Sequence, residues 1–372
     1  MRPPKPPPMH RLNRITPTIY EAARTCAARA AWTAHGERSA VPRHPRALLG
    51  IGVHTVLESA RKGKLAGDNP DERRESARRT FDDKMKEIFE GAHPLLLAKF
   101  ETHDRLPYYN VHRERAALIA AEMTPRRALK GSAAPGQGSF VEVTLESRDG
   151  RIVGRPDMVD RERGEVIEYK AGSAPEGGGL TDVEERQLKL YAFLAGENGV
   201  EVRKGIVLRA DRTRAEIDIP PAAAQAEGVR AVEVLDSYNR QSERQFEEAA
   251  APSPTACRFC PCIAFCEPFW SIAEESWSCS VGTHVEGKVI RVQGDALVAV
   301  ELDVARGAGP RGRGVLTRLS TRWLTFDGSE GPAQEDVIRT TYVPHVQETA
   351  EPAVFRADRA STAVWLIAPN RG

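Results

Sequence analysis

The sequence predicts an α/β core with a helical N-terminal region, followed by a small all-β domain of the OB or SH3-like barrel kind. Three observations predict it. Helical spacing fills the first third of the chain, alternation of period two sets in at Ser139, and beyond about Trp277 the texture is purely β. With 372 residues, 41% of them hydrophobic and 28% charged, there is material for one large domain and one small one. The expected division is a disordered basic, proline-rich tail over 1–14, a main domain over 15–275 and the β domain over 276–372.

The elements follow in order. TPTIYEAARTCAARAAW reads as one helix, capped at Thr16 or Thr18 and carrying Cys26. After the loop HGERSAVPRHPR, LLGIGVHTVLESARKG reads as a second helix, and 71–91, 94–104 and 109–123 as three more. SFVEVTLES, RIVGRPDMVD and EVIEYKAG, separated by the turns SRDG and RERG, read as a three-stranded antiparallel meander. TDVE is a capping box opening a helix that runs to Gly196. The strands VRKGIVLRA and AEIDIP follow, then an alanine-rich helix over about 221–250, broken by the prolines of APSPTACRFCPCIAFCEPFW. HVEGKVIRV, ALVAVELDV, GVLTRLST, VIRTTYV and TAVWLIA are five short strands, enough for a small barrel.

Composition excludes several classes. The tail MRPPKPPPMHRLNR has no apolar segment and reads as neither signal peptide nor membrane anchor, and nowhere do 18 apolar residues run together. A cytoplasmic location is expected. Six cysteines without an export signal point to thiolate chemistry with a metal or redox partner rather than to disulfides. Net charge, +1, selects no partner. Residues 1–48 carry nine Lys or Arg against two Glu, an excess suited to a polyanion or to a solvated tail.

The densest chemistry lies on the hairpin around RERG. A four-residue loop there pairs Asp160 with Glu165, which puts Asp157 opposite Glu168 and Lys170 on the same face. Opposed carboxylates about 4.5–5.5 Å apart repel unless a cation lies between them, and a hard divalent ion removes the repulsion. Phosphodiester hydrolysis needs such an ion to acidify a water, and a cationic side chain to stabilise developing charge. Similar register logic places Glu142 opposite Arg155, as a further oxygen donor or an ion pair. Pro156 removes a ladder donor and predicts an edge or bulge beside the site. Gln187 and Tyr191, four apart, share one helical face. A second cluster, Cys257-x2-Cys260-x5-Cys266, has the spacing of metal thiolates, its fourth ligand being Cys262 or a distant residue.

GRPD at 154–157 and EYK at 168–170, on a strand–turn–strand, resemble the motifs of the PD-(D/E)XK nuclease superfamily and its restriction-endonuclease-like core. LLGIGVHTVLE, with Gly50 and His54, and QLKLY, with Gln187 and Tyr191, are similar to the G-x-x-x-H and Q-x-x-x-Y helices of its RecB-like branch. The resemblance implies that His54, Asp157, Glu168 and the backbone carbonyl of Tyr169 bind Mg²⁺ or Mn²⁺. It also implies that Lys170 assists the attacking water and that Gln187 and Tyr191 contact DNA or support the site. Iron–sulphur members of this branch, including AddB and the CRISPR-associated nuclease of the same build, carry one N-terminal cysteine and three after the core. The matching residues here are Cys26, Cys257, Cys260 and Cys266, implying a structural [4Fe-4S] cluster; zinc held with Cys262 or a histidine is the alternative. Cys262 and Cys279 are left over as ordinary thiols.

The expected function is therefore a metal-dependent DNA exonuclease or end-processing nuclease, favouring single strands or DNA ends, in CRISPR adaptation, repair or anti-phage defence. A catalytically silent DNA-binding or scaffold module is the alternative. An iron–sulphur redox enzyme fits less well, because no flavin- or nucleotide-binding glycine motif accompanies the cysteines. The terminal β domain, with eleven basic and eleven acidic residues over 280–372, has no electrostatic footprint for nucleic acid. Its ARGAGPRGRG loop could touch phosphates, and a barrel would offer Trp323, Phe326 or Tyr342 for base stacking. Docking of a protein partner is the other role considered.

Overall fold

The computed structural model describes residues 1–372 apart from 38, 124–139, 142, 173, 279–281, 329, 347–351, 358–359 and 369–372. Six helices come first: α1 (Pro17–Thr25), α2 (Ala27–His35), α3 (Pro45–Arg61), α4 (Pro70–Glu90), α5 (Pro94–Phe100) and α6 (Tyr109–Glu122). Proline opens four of them, where its missing N–H costs nothing and its fixed φ suits the first turn. The single helix expected around Cys26 is two. Thr16 caps the first by accepting from Ile19 N, and Cys26 breaks the run with an extended backbone, φ −163° and ψ 120°. Asp160 and Glu165 do pair, but the meander is cut into short pieces: β1 (Phe140–Val141), β2 (Leu145–Glu146), β3 (Val153–Gly154), β4 (Met158–Asp160) and β5 (Glu165–Lys170). β1 pairs with β4, and β2 with β3.

α7 (Asp182–Glu197) opens with the anticipated capping box of Thr181 and Glu184, and crosses over from β5 to β6 (Lys204–Arg209), which therefore runs parallel to β5. β7 (Arg214–Asp218) closes a five-stranded sheet of order β1-β4-β5-β6-β7. Alternation along β4, β5 and β6 sorts its two faces. Met158, Ile167, Tyr169 and Ile206 join a core with α3, α4 and α6, including Val53, Phe81 and Met85. Val159, Val166 and Val207 join another with α7 and with α8 (Pro221–Gln241), including Leu188, Leu194 and Leu235. The long alanine-rich helix ends at Gln241, and only the short α9 (Phe246–Ala249) follows before the cysteine segment.

That segment holds α10 (Pro254–Cys257) and α11 (Glu267–Ile272). Beyond it lie β8 (Thr283–Gln293), β9 (Leu297–Gly307), β10 (Gly312–Ser320), the short α12 (Thr321–Leu324), β11 (Val337–Val343), β12 (Ala353–Arg356) and β13 (Ala363–Ala368). The all-β expectation holds, with a sixth strand, β12, laid parallel to β10. The barrel does not. The sheet runs β12-β10-β9-β8-β11-β13, and its two edge strands are unpaired with each other among the described residues.

This sheet shares a core with the cysteine segment, Trp365 and Ala308 packing with Phe269 and Trp270. Arg339 of β11 is buried between the two. It donates to Glu286 Oε2 at 2.6 Å and to the Ala264 carbonyl at 3.0 Å, pairs with Glu267, and lies 4.8 Å from the Trp270 ring centre. The aromatics considered for base stacking point into this junction. Tyr342 donates its hydroxyl to the Cys260 carbonyl at 3.0 Å, and Trp323 and Phe326 pack beside the same core. Residues 1–14 contain no helix or strand but are pinned at both ends: Leu366 N donates to the Met1 carbonyl, and Leu12 exchanges hydrogen bonds with the Asn239 side chain. Among the described residues no helix is long and apolar enough to cross a membrane.

Candidate active site

Pro156 falls in the break between β3 and β4, so Asp157 leaves the ladder one residue before β4 begins. Freed from strict cross-strand pairing, its Oδ2 accepts from Tyr169 N at 2.6 Å and its Oδ1 lies 3.4 Å from His54 Nδ1. Glu168 and Lys170 stand on the α7 face of β5 with Val166. Lys170 Nζ donates to Glu168 Oε1 and to Gln187 Oε1, both at 2.9 Å. Gln187 Nε2 donates to the same Glu168 oxygen at 2.9 Å and to the Tyr191 hydroxyl at 3.1 Å, and that hydroxyl donates to the Arg155 carbonyl at 3.3 Å. One chain of contacts thus joins α3, the β4–β5 hairpin and α7.

The other Glu168 oxygen, Oε2, is buried and has no hydrogen-bond partner. A carboxylate oxygen left bare in a residue only 6% exposed is costly unless a cation or proton meets it. Burial, reinforced by the charge of Asp157, pushes the Glu168 carboxyl up to about 7 in spite of Lys170. Burial pulls His54 down, but the hydrogen bond and charge of Asp157, with the charge of Glu168, outweigh it and leave the imidazole above its usual value. Glu168 Oε2, beside the charge of Asp157, is therefore an unclaimed oxygen of the kind a hard divalent cation takes, although the side chains around it are not drawn together into a ready-made ligand set. Among the described residues no group of three or more His, Cys, Asp or Glu side chains is arranged to hold a metal ion.

All the site residues expected from the sequence on α3, β5 and α7 meet here. Tyr191 is 5% exposed and belongs to the core packed against α7, which leaves its side chain little surface to offer a large ligand. Glu142 lies outside the described residues. The register assumed for it differs from the one observed, since Leu145 pairs with Gly154 and Glu146 with Val153, and Arg155 reaches Glu58 of α3 at 3.4 Å. Three supports escaped the sequence reading. Gly154 makes room for α7, since a Cβ there would come within 2.9 Å of the Tyr191 ring and 2.8 Å of Leu194. Arg61 donates to the Tyr169 hydroxyl at 2.8 and 3.0 Å. Arg209, beside Lys170 in the parallel register, donates to Glu184 Oε2 and to the Gly179 carbonyl, tying the start of α7 to β6. Helical spacing could have found Arg61 and Glu58, which follow His54 at seven and four residues.

The cysteines also converge. Cys26, Cys257, Cys260, Cys262 and Cys266 line one small enclosed cavity of about 10 Å³ with Arg29, Phe246 and Pro252, and among the described residues no histidine lines it. Cys26 reaches it because the α1–α2 break turns its thiol toward Ala251, whose N–H lies 3.4 Å from Sγ. Burial raises the Cys257 and Cys266 thiols to about 12, whereas a hydrogen bond from Cys262 lowers Cys260. Cys262, expected to be an ordinary bystander, lines the cavity with the other four; Cys279 lies outside the described residues. Five thiols thus line one enclosure, but the space between them is closed to about the size of one water and, among the described residues, they are not arranged as a metal-ligand group.

No curated protein matches the chain. The family model of the PD-(D/E)XK nuclease superfamily matches residues 14–267, a span that takes in the acidic hairpin, α3, α7 and all five converging cysteines, and stops before the terminal sheet. Members of that superfamily are typically phosphodiesterase nucleases that use divalent metals. The chain belongs to the PD-(D/E)XK nuclease superfamily.

Proposed function

We propose that the protein is a DNA exonuclease or end-processing nuclease acting on single strands or DNA ends. The observation that carries this reading is the bare, buried Oε2 of Glu168 beside Asp157 and His54. His54, Asp157, Glu168 and the Tyr169 carbonyl would hold Mg²⁺ or Mn²⁺. Such an ion, when bound, polarises the scissile phosphate and lowers the pKa of an attacking water. Lys170 stabilises charge as it develops on the phosphate and orients the water. Gln187 holds Lys170 and Glu168 at a common distance, and Tyr191 holds Gln187. Arg61 and Arg209 fix the strand and helix that carry them.

Cys26, Cys257, Cys260 and Cys266 would hold a [4Fe-4S] cluster, which would tie the first helices to the end of the nuclease unit; the convergence of these thiols on one enclosure supports this reading. The chain divides into a nuclease unit over 15–275 and an appended β unit over 276–372, the latter serving to dock a protein partner and to brace the cysteine segment. A role in CRISPR adaptation, repair or anti-phage defence follows from the same reading.

The test is Mn²⁺-dependent degradation of end-labelled single- and double-stranded DNA by the parent and by Lys170→Ala. Cleavage by the parent and its loss in the variant is the expected result. Equal cleavage by both would remove the mechanism, and binding without cleavage by the parent would favour a catalytically silent scaffold.

A further inference from the structure

The solvent side of α3 leads away from the active site. His54 sits on it together with Arg46, Ala47, Gly50, Ile51, Thr55 and Glu58, all exposed or half-buried, while Leu48, Leu49, Val53 and Val56 face the core. The helix crosses the end of β5 here, since a Cβ on Gly50 would lie 3.7 Å from the Cβ of Ala171, next to Lys170. Toward the helix start the side chains become small, Gly50 and Ala47, and Ile51 is 36% exposed. Between the active site and Arg46 the solvent side of the helix thus carries small or uncharged side chains.

At its far end stands an aromatic platform. Tyr108, just before α6, is 58% exposed, the same as Phe259 and second only to Leu297 among the large exposed hydrophobic side chains of the described residues. Its backbone is left-handed, φ 69° and ψ 15°, a conformation that a bulky residue adopts at a cost. The Arg46 guanidinium lies 5.3 Å from its ring centre. An exposed ring bearing an arginine, displayed by a strained backbone, is the surface on which unpaired bases stack, with the guanidinium free to meet a neighbouring phosphate. Arg46 precedes His54 by eight residues, about 12 Å along the helix axis, a span of two to four nucleotides of single strand.

We propose that Tyr108 and Arg46 form a base-stacking subsite that grips an unpaired nucleic-acid strand a few nucleotides from the phosphate held at His54, Asp157 and Glu168. The inference rests on the nuclease reading and names the substrate class, a single strand, that this site prefers. Inside a duplex the bases are stacked on one another and only the terminal pair has a free face, so a duplex gains far less from the platform than a single strand does.

Fluorescence anisotropy of a labelled oligothymidylate and of a blunt duplex, titrated with the full-length protein in EDTA, tests it. Tyr108→Gly removes the ring while suiting the left-handed backbone, so its melting temperature should not fall. It should weaken single-strand binding about tenfold and leave duplex binding as it was. Tyr108→Phe should bind like the parent, and Arg46→Ala should weaken the single strand less than Tyr108→Gly does. Unchanged single-strand binding by Tyr108→Gly, or equal weakening of both DNAs, sinks the subsite. If the parent also cleaves DNA with Mn²⁺, only the subsite is lost; a parent that neither binds nor cleaves takes the nuclease reading down as well.

Discussion

The acidic site and the cysteine pocket both gather side chains of kinds that can bind metals, yet they are assembled in opposite ways. Asp157, Glu168 and Lys170 come from one hairpin, and neighbours hold each of them: Tyr169 N and His54 hold Asp157, and Gln187 holds the other two. The pocket instead joins Cys26, half-buried, to four buried cysteines far along the chain, beside Phe246, Pro252 and Arg29. The first arrangement keeps its geometry by hydrogen bonding and leaves one oxygen over for a ligand. The second, on the proposed reading, would depend on the cluster that fills it. Removing the occupant should therefore cost activity at one site and architecture at the other.

The largest effect should come from the pocket. Cys257→Ser, purified without oxygen, should lose brown absorbance near 400 nm and lose up to about 5 kcal/mol of stability in chemical denaturation, the upper end expected for opening so long a loop. A colourless parent containing zinc would overturn the iron assignment. Next, Glu168→Gln should reduce cleavage by about 10³-fold while making the metal-free protein more heat-stable at pH 8, because it removes a buried charge. A fall in both quantities would mean that the carboxylate is structural. Gln187→Ala should lower metal affinity or cleavage by about 10–100-fold, as loss of a group that orients a ligand does, with far-UV circular dichroism unchanged. An effect on folding alone would assign Gln187 to the core.

The smallest contrast is with pH. Since the folded pKa of Glu168 lies at about 7, above its ordinary value, the proton's contribution to stability is complete below about 4.5 and disappears as pH rises through about 7. A cation binds only the ionised carboxylate, so Mn²⁺ affinity should fall about tenfold for each pH unit below that point and level off above it. Calorimetric titration at pH 6, 7 and 8 would reveal the slope, and a flat response would place the cation away from Glu168.

Much of this was legible in the sequence because it is local. The Thr181–Glu184 capping box, the Asp160–Glu165 pairing across RERG, and the shared face of Gln187 and Tyr191 each depend on a few neighbouring residues. What was misread depends on partners far away. Nothing near Cys26 announces a helix break; the extended backbone there makes sense only with residues 251–266 in place. Leu145 pairs with Gly154 rather than with a residue set by a tight SRDG turn, because Ser147 N bonds across to the Ile152 carbonyl and Ile15 bridges to Ile152. The barrel failed for a similar reason: Arg339, Tyr342 and Trp365 are spent on the junction with the cysteine segment, a use that alternation within a strand cannot reveal.

The reach of Cys26 also has a meaning in time. Its nearest polar contact across the pocket, Ala251, is 225 residues downstream. At about 5–20 residues per second, a ribosome needs roughly 11–45 s to make that stretch. During that interval the first thiol waits without its companions, so maturation of the pocket has to follow, not accompany, synthesis of the nuclease fold.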